Sequence, residues 1–151
     1  MKKRIVSLVL VIAIIASIMC VLVSCGTSVK VDESKKIVEF TAEKSLITKY
    51  ECKTLQNYMD ALQKENKFTY KATGSGDMTF VTTINNLQAD STKEYWAIYS
   101  NSKSEKNFSY AKTEWGGPYE YNKVEYGYAN FGIYSLPIEE GIVYLFVLTA
   151  F

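Results

Sequence analysis

The two apolar runs over residues 79–84 and 95–100 constrain the fold most strongly. Both are rich in β-branched and aromatic side chains, which favour strands. A polar connection that carries the turn-forming pair Asn85-Asn86 separates them. We therefore predict a pair of strands joined by a loop. Because side chains alternate across a strand, Trp96 should point to one face and anchor a core.

The clearest helix in the chain begins after Thr54, a residue type that caps helices well. Four apolar residues follow at the spacing i, i+3, i+4 and i+7, which places them on one helical face. They are Leu55, Tyr58, Met59 and Leu62. Asn66 tolerates the left-handed conformation of a C-terminal cap, so the helix should end there. We interpret its apolar stripe as core.

The remaining elements are mostly strands. Residues 37–42 alternate as a half-buried strand does, and Glu43-Lys44 predicts a hairpin turn with a second strand behind it. Residues 142–151 form a nearly continuous apolar run, too short to span a membrane, which predicts a central strand buried on both faces. The fold class that follows is α+β, with one helix packed on a mostly antiparallel sheet.

The N-terminus has the pattern of an export signal. Three basic residues precede an uncharged apolar stretch over residues 5–23. The following Leu22-Val23-Ser24-Cys25-Gly26 resembles the bacterial lipobox, which implies that Cys25 is lipidated and becomes the new N-terminus. An uncleaved transmembrane anchor is the alternative. Either way, the folded part should lie outside the cytoplasmic membrane and stay attached to it.

The predicted domain organisation follows from these segments. Residues 1–24 are a lipoprotein signal peptide, residues 25–36 a flexible polar tether and residues 37–151 the folded domain. Removal of the signal peptide takes away three basic residues and leaves a small excess of acidic ones, so no basic patch for nucleic acid is expected. Cys52 would then be the one free thiol, and we interpret it as a small buried hydrophobe.

Two short motifs carry a family resemblance. Thr83-Ile84-Asn85-Asn86, followed after a polar loop by Tyr95-Trp96, is similar to the C-terminal β-domain of transcobalamin and intrinsic factor and to its bacterial relatives of undefined function. The similarity runs from about residue 54 to residue 151. It resumes at Gly132-Ile133-Tyr134-Ser135-Leu136-Pro137, which resembles the glycine-bearing strand of that family. The resemblance implies a β-grasp-like arrangement of the sheet.

Compared with that family, residues 101–130 resemble an insertion that is rich in aromatic residues. Gly116-Gly117-Pro118 marks a turn within it, and Asn122-Lys123 marks a second turn. On each side of the second turn, two tyrosines should lie on the same face of a strand. These are Tyr119 and Tyr121 before the turn, and Tyr126 and Tyr128 after it.

The composition narrows the chemistry. The chain has no histidine, which excludes catalytic triads built on His and most zinc sites. Gly74-Ser75-Gly76 lacks the Lys-Ser/Thr of a phosphate-binding loop. Glu139 and Glu140 are adjacent and should lie in a solvated turn, not face each other across a substrate. We therefore expect a binding protein without metal or cofactor, and not an enzyme.

The resemblance implies a corrinoid as the ligand, since in those carriers this domain forms one wall of a cobalamin site. Matching positions here are Trp96, Ile98, Gly132 and Ile133. Composition alone adds the aromatic candidates Trp115, Tyr119, Tyr121 and Tyr134, because aromatic faces attract flat ligands. The alternative function is an adhesion module that binds an envelope protein or glycan and has no small-molecule site.

Overall fold

The computed structural model describes residues 28–114 and 116–151. The described residues form an α+β fold of two α-helices and ten strands, and every strand pair among them is antiparallel. The predicted fold class is therefore confirmed. No helix in this part of the chain is long and apolar enough to cross a membrane. The predicted signal peptide, Cys25 and Trp115 lie outside the described residues.

The elements are numbered in chain order. They are β1 (Lys30–Asp32), β2 (Ile37–Thr41), α1 (Lys44–Tyr50), α2 (Leu55–Lys64), β3 (Tyr70–Thr73), β4 (Phe80–Ile84), β5 (Leu87–Gln88), β6 (Glu94–Ser100), β7 (Phe108–Ser109), β8 (Tyr119–Tyr121), β9 (Val124–Ala129) and β10 (Val143–Ala150). A 3₁₀ turn, Gly76–Met78, precedes β4.

Seven strands form the main sheet, in the order β1-β2-β10-β6-β9-β7, with β8 paired to β9. β3, β4 and β5 form a separate small sheet. β10 lies between β2 and β6, and its residues 144–147 are buried. The prediction of a central strand buried on both faces is confirmed, because β10 has neighbours on both sides and cover on both faces.

Helix α2 covers one face of the main sheet, which we call the inner face. The Thr54 hydroxyl accepts a hydrogen bond from the Asn57 N–H, and the Asn57 side chain accepts one from the Thr54 N–H, which completes a capping box. All four residues of the predicted stripe are buried against the sheet. Asn66, with a φ of +55°, follows the end of the helix as predicted.

The second helix, α1, corrects the prediction of a single helix. The expected hairpin turn at Glu43-Lys44 is wrong, because the chain begins a helix there and not a second strand. Leu46 and Tyr50 are four residues apart and therefore share a helical face, with Leu46 buried in the core. Glu51 ends the helix in the left-handed region, at a φ of +50°. Seven residues give too short a periodic signal to separate a helix from a strand.

Two other expectations need correction. The predicted strands at residues 79–84 and 95–100 both exist, yet they do not pair, because β4 belongs to the small sheet and β6 to the main one. The predicted tether over residues 25–36 is also too long. Residues 30–32 form β1, which pairs with β2 and buries part of an otherwise open sheet edge.

The aromatic-rich residues 101–130 are divided between the two faces of the main sheet. Phe108 and Tyr110 pack in the inner core, whereas the tyrosines of β8 and β9 lie on the other face, the outer face. The turn at Asn122-Lys123 is confirmed: both residues have positive φ, and Tyr121 pairs with Val124 around them. The β8–β9 hairpin packs over an outer cluster that includes residues of β2, β6 and β10. At its far end the Lys35 ammonium lies 5.1 Å from the centre of the Tyr121 ring.

Candidate functional site

A groove runs along one side of β6, and we call it the β6 groove. It has a volume of about 360 Å³. Its walls come from β6, from β4 and the 3₁₀ turn before it, and from the chain that leaves β9. The lining residues are Asp77, Thr79, Phe80, Val81, Tyr95, Trp96, Ala97, Ile98, Tyr128, Ala129, Asn130, Phe131, Gly132 and Ile133.

The groove exists because β9 leaves β6 early. β9 pairs with β6 only at Tyr99 and Ser100, whereas β10 pairs with β6 along its whole length. Ala129 of β9 pairs instead with Phe108 of β7, and the Asn130 N–H donates to the Asn107 carbonyl at 2.9 Å. In the described part of the chain, no strand therefore pairs with residues 94–98 on this side.

Alternate residues of β6 direct their backbone N–H and C=O groups into this gap. The Asn101 N–H donates to the Val143 carbonyl, and the Phe151 N–H donates to the Lys93 carbonyl. In this register, the odd-numbered residues of β6 form the backbone hydrogen bonds to β10. Even-numbered Trp96 and Ile98 direct their N–H and C=O groups towards the groove.

The far wall of the groove is fastened to helix α2. The Gln56 N–H donates to the Ile133 carbonyl at 2.9 Å, and the Leu55 N–H donates to the Leu136 carbonyl at 2.8 Å. These are first-turn N–H groups that a helix cannot bond internally, so the wall satisfies them. Ile133 is buried in the inner core, which fixes the position of neighbouring Gly132.

Large apolar side chains are exposed around the mouth of the groove. Phe80 and Phe131 both line the groove, and their exposed fractions are 61% and 40%. The two sides of the mouth are linked, because the Ser135 hydroxyl donates to the Asp77 carboxylate. Clustered exposed apolar residues are typical of surfaces that bind a ligand or partner.

Trp96 connects the groove to the inner core. Its side chain belongs to the core cluster beneath α2 and is 7% exposed. Its indole Nε1–H is buried and has no hydrogen-bond partner among the described residues. A buried donor of this kind costs about 1–3 kcal/mol when it is left unpaired. The prediction that Trp96 anchors the core is confirmed.

Tyr128 and Tyr95 close the groove on the outer-face side. Burial, and then the neighbouring Tyr95, raise the pKa of the Tyr128 phenol, so its hydroxyl stays protonated at neutral pH. Asp77 is the one carboxylate of the lining, and it already accepts the Ser135 hydrogen bond. Among the described residues, the lining thus holds no pair of carboxylates. Its chemistry suits recognition of a ligand.

The structure divides the predicted site residues into separate groups. Trp96, Ile98, Gly132 and Ile133 meet in the β6 groove. Tyr119 and Tyr121 lie on β8, against the outer cluster. Tyr134 faces a polar hollow beside Gln56 and Asp60.

The groove is also lined by three residues that no sequence motif marks, which are Phe80, Phe131 and Asn130. Phe80 lies within a predicted strand, and an alternating pattern does not distinguish an exposed aromatic residue from a buried one. Phe131 was one aromatic residue among many in its region. No local sequence pattern predicts that Asn130 lines the groove, because its position depends on where β9 leaves β6.

One comparison with known proteins gives a match. A family model described as Domain of unknown function (DUF4430) matches residues 53–107. The match is consistent with a bacterial relative of undefined function, and it includes α2, β4 and β6 but not the wall at Gly132. Neither the curated proteins nor the solved structures contain a match to the chain.

Proposed function

We propose that the protein is a ligand-binding lipoprotein of the cell surface, whose ligand enters the β6 groove. The observation that carries the proposal is the convergence of four residues from two distant segments. Trp96 and Ile98 come from β6, whereas Gly132 and Ile133 come from the chain after β9. The resemblance to the transcobalamin β-domain pointed to these same four positions.

The proposed ligand is a corrinoid. Apolar walls would bury part of the macrocycle, and the β6 backbone groups at Trp96 and Ile98 would bond its polar side groups. A groove of about 360 Å³ is smaller than a whole corrinoid, so it would hold one edge of the ligand. The exposed Phe80 and Phe131, or a partner protein, would cover the rest. With no histidine in the chain, the protein would supply no imidazole to the cobalt.

The proposed location follows from the N-terminal sequence. Lipidation of Cys25 would hold the domain at the extracytoplasmic face of the cell membrane. The groove would then meet ligands outside the cytoplasm. The partners in this proposal are the membrane, through the lipid anchor, and a small molecule; nucleic acid is not among them.

A second candidate function is adhesion to an envelope protein or glycan. The exposed apolar residues at the groove mouth favour it, because a protein partner could bury them without filling the groove. In that case, substitutions at the mouth would abolish partner binding, whereas a substitution that fills the groove would have little effect.

The experiment is a fluorescence titration of the full-length chain with cyanocobalamin and cobinamide, corrected for ligand absorbance. The chain has two tryptophans, so Trp115→Phe leaves Trp96 as the single reporter in the groove. In this background, Gly132→Leu should fill the groove without backbone strain. A Cβ on Gly132 would be 3.9 Å from its nearest neighbour, the Thr79 carbonyl oxygen. Ala72→Leu adds the same side chain at an exposed position of β3 and is the matched control.

We expect saturable quenching of Trp96 in the parent and in Ala72→Leu. We expect Gly132→Leu to weaken it at least about tenfold, a loss of roughly 1.4 kcal/mol of binding free energy. The absence of saturable quenching up to about 1 mM ligand would refute direct corrinoid binding by this chain. Equal quenching of all three variants would place the ligand elsewhere.

A further inference from the structure

Backbone hydrogen-bonding groups face the β6 groove from two sides. On one side they belong to Trp96 and Ile98 of β6. On the other side they belong to Ala129 of β9. The Asn130 N–H donates to the Asn107 carbonyl, so the even-numbered residues of β9 bond to β7. Ala129 therefore directs its N–H and C=O groups away from β7 and towards the gap beside β6.

The gap has the form of a place for one more strand. β9 pairs with β6 at Tyr99 and Ser100 and then diverges towards β7. In the described part of the chain, residues 94–98 thus form an edge without a paired strand on this side, about 17 Å long in extended conformation. Such an edge, with its unpaired N–H and C=O groups, is a template for another strand.

A strand in the gap would meet apolar side chains on both faces of the sheet. Val81 and Ile133 pack in the inner core. Tyr95 and Tyr128 pack with the outer cluster. Because successive side chains of a strand point to opposite faces, each face would receive every second residue. The groove volume of about 360 Å³ favours small β-branched residues at these positions.

The charges around the groove favour a basic strand. Asp77 is the one charged residue among the described lining residues, and it is exposed. The charges near the start of β6 are paired with each other: Lys36 lies 3.0 Å from Glu94, and Lys93 lies 3.1 Å from Asp90. The Asp77 carboxylate is therefore the net charge that an incoming strand meets, and it would repel an acidic one.

We propose that the β6 groove accepts an extended, basic segment of a partner protein, which adds to the sheet as a strand along residues 94–98. Its backbone would bond Trp96 and Ile98 on one edge and Ala129 on the other. The groove is recessed between the 3₁₀ turn and the chain after β9, so the edge of a second folded sheet cannot enter it. The partner therefore contributes a terminal or loop segment. This inference rests on the adhesion alternative of the proposed function and names what that partner presents.

The experiment uses a synthetic peptide with blocked ends, in which five alternating valine and threonine residues stand between two lysines. The peptide is titrated into the full-length chain and followed by NMR at the backbone amides of β6. A second peptide has glutamates in place of the lysines. Two further peptides carry N-methyl groups at alternate residues, one on each edge, so at least one of them cannot donate to β6. Gly132→Leu fills the groove, and Ala72→Leu, at an exposed position, is its matched control.

We expect the lysine peptide to slow hydrogen exchange at the amides of Trp96 and Ile98. The amides of Ala97 and Tyr99 should be unchanged, since they already bond to β10. At least one N-methylated peptide should bind about tenfold more weakly or worse, because it loses two or more backbone hydrogen bonds.

The variants of the chain test the groove and its charge. Gly132→Leu should weaken binding of the lysine peptide about tenfold or more, whereas Ala72→Leu should bind it like the parent. Asp77→Asn keeps an acceptor for the Ser135 hydroxyl and removes the charge, so it should weaken binding about threefold. The glutamate peptide should bind the parent more weakly than the lysine peptide does.

The proposal is overturned if the lysine peptide does not bind up to about 10 mM, or if protection along β6 does not alternate. It is also overturned if both N-methylated peptides bind like the unmodified one, or if the glutamate peptide binds more tightly. A corrinoid titration that fails leaves the peptide result unaffected. An envelope protein that binds through the groove mouth, while no peptide binds, would support adhesion and refute strand addition.

Discussion

The two faces of the main sheet are covered in different ways. On the inner face, helix α2 packs its whole apolar stripe onto the sheet, and Phe40 has four other aromatic rings within 5.9 Å. On the outer face, the β8–β9 hairpin covers the sheet with tyrosines, several of which stay half-buried. The inner face is a dense core, whereas the outer face keeps a cavity of about 990 Å³.

The difference follows from the covering element. A helix can place side chains of several turns into one continuous layer, so the inner core closes. A two-stranded hairpin presents only alternate residues to the sheet, and tyrosine hydroxyls must reach water or a partner. Less free energy is therefore needed to separate the hairpin from the outer face, and space for a ligand remains there. Each of the following predictions tests this contrast, beginning with the largest effect.

Truncation of Phe40 should have the largest effect. Phe40→Ala leaves a cavity among fully buried rings and should lower the free energy of unfolding by about 3–5 kcal/mol. On the outer face, Tyr119→Ala removes a half-buried ring whose centre is 5.2 Å from that of Tyr99, and it should cost about 1 kcal/mol. Urea unfolding of both variants measures the difference. Equal losses would show that the two faces are equally well packed.

A methyl group at residue 127 should disturb the packing of β9 against Tyr110. Its Cβ would be 2.8 Å from the Tyr110 ring, whose hydroxyl donates to the Ser102 carbonyl at 2.7 Å. The ring cannot move away without losing that bond, so Gly127→Ala should cost about 1–3 kcal/mol. The matched variant Gly132→Ala meets no close atom and should change stability by less than about 0.5 kcal/mol. Thermal unfolding of the pair tests this, and equal midpoints would contradict it.

Alkaline pH should weaken the outer face through Tyr99. Its folded pKa of about 12 lies above the unfolded value of about 10, so the fold favours the protonated phenol. This stabilisation is complete below about pH 10 and is lost as the pH rises towards 12. Tyr99→Phe has no phenol at this position and should lose less stability between about pH 10 and pH 12 than the parent. Urea unfolding of both proteins at each pH measures the loss. Equal losses of stability in the parent and in Tyr99→Phe would rule out a contribution from Tyr99.

The smallest effect concerns the hairpin turn. Lys123 has a φ of +64°, which glycine adopts without steric cost. Lys123→Gly creates the Asn-Gly sequence that this kind of turn favours and should stabilise the fold by about 1 kcal/mol or less. Lys103→Gly, in an exposed loop, is the control and should not stabilise it. A lower melting temperature for Lys123→Gly would contradict the turn geometry.

Local signals determined which parts of the fold could be predicted. The capping box at Thr54 and the four-residue stripe of α2 are contiguous in sequence, and so is the apolar run that becomes β10. The partner of β6 is not local, because β6 pairs with β10 near the end of the chain, whereas β4 pairs with its sequence neighbours β3 and β5. Helix α1 was missed because its buried residues, Leu46 among them, also fit a strand.

The candidate site was predictable only in part, for the same reason. The family resemblance pointed to Trp96 and Gly132, which are 36 residues apart in sequence and line one groove. The open edge itself depends on the early departure of β9 from β6, which no motif records. The space beside Tyr128 on the outer face likewise depends on how closely Gly116 packs on the Tyr128 ring.

Amide hydrogen exchange along β6, measured by NMR on the full-length chain with and without cyanocobalamin, tests the central claim most directly. In the free chain, the amides of Trp96 and Ile98 should exchange faster than those of Ala97 and Tyr99, which bond to β10. Saturating ligand should slow exchange at Trp96 and Ile98. Uniform protection along β6 in the free chain would contradict the open edge, and unchanged exchange with ligand bound would contradict its role as the binding site.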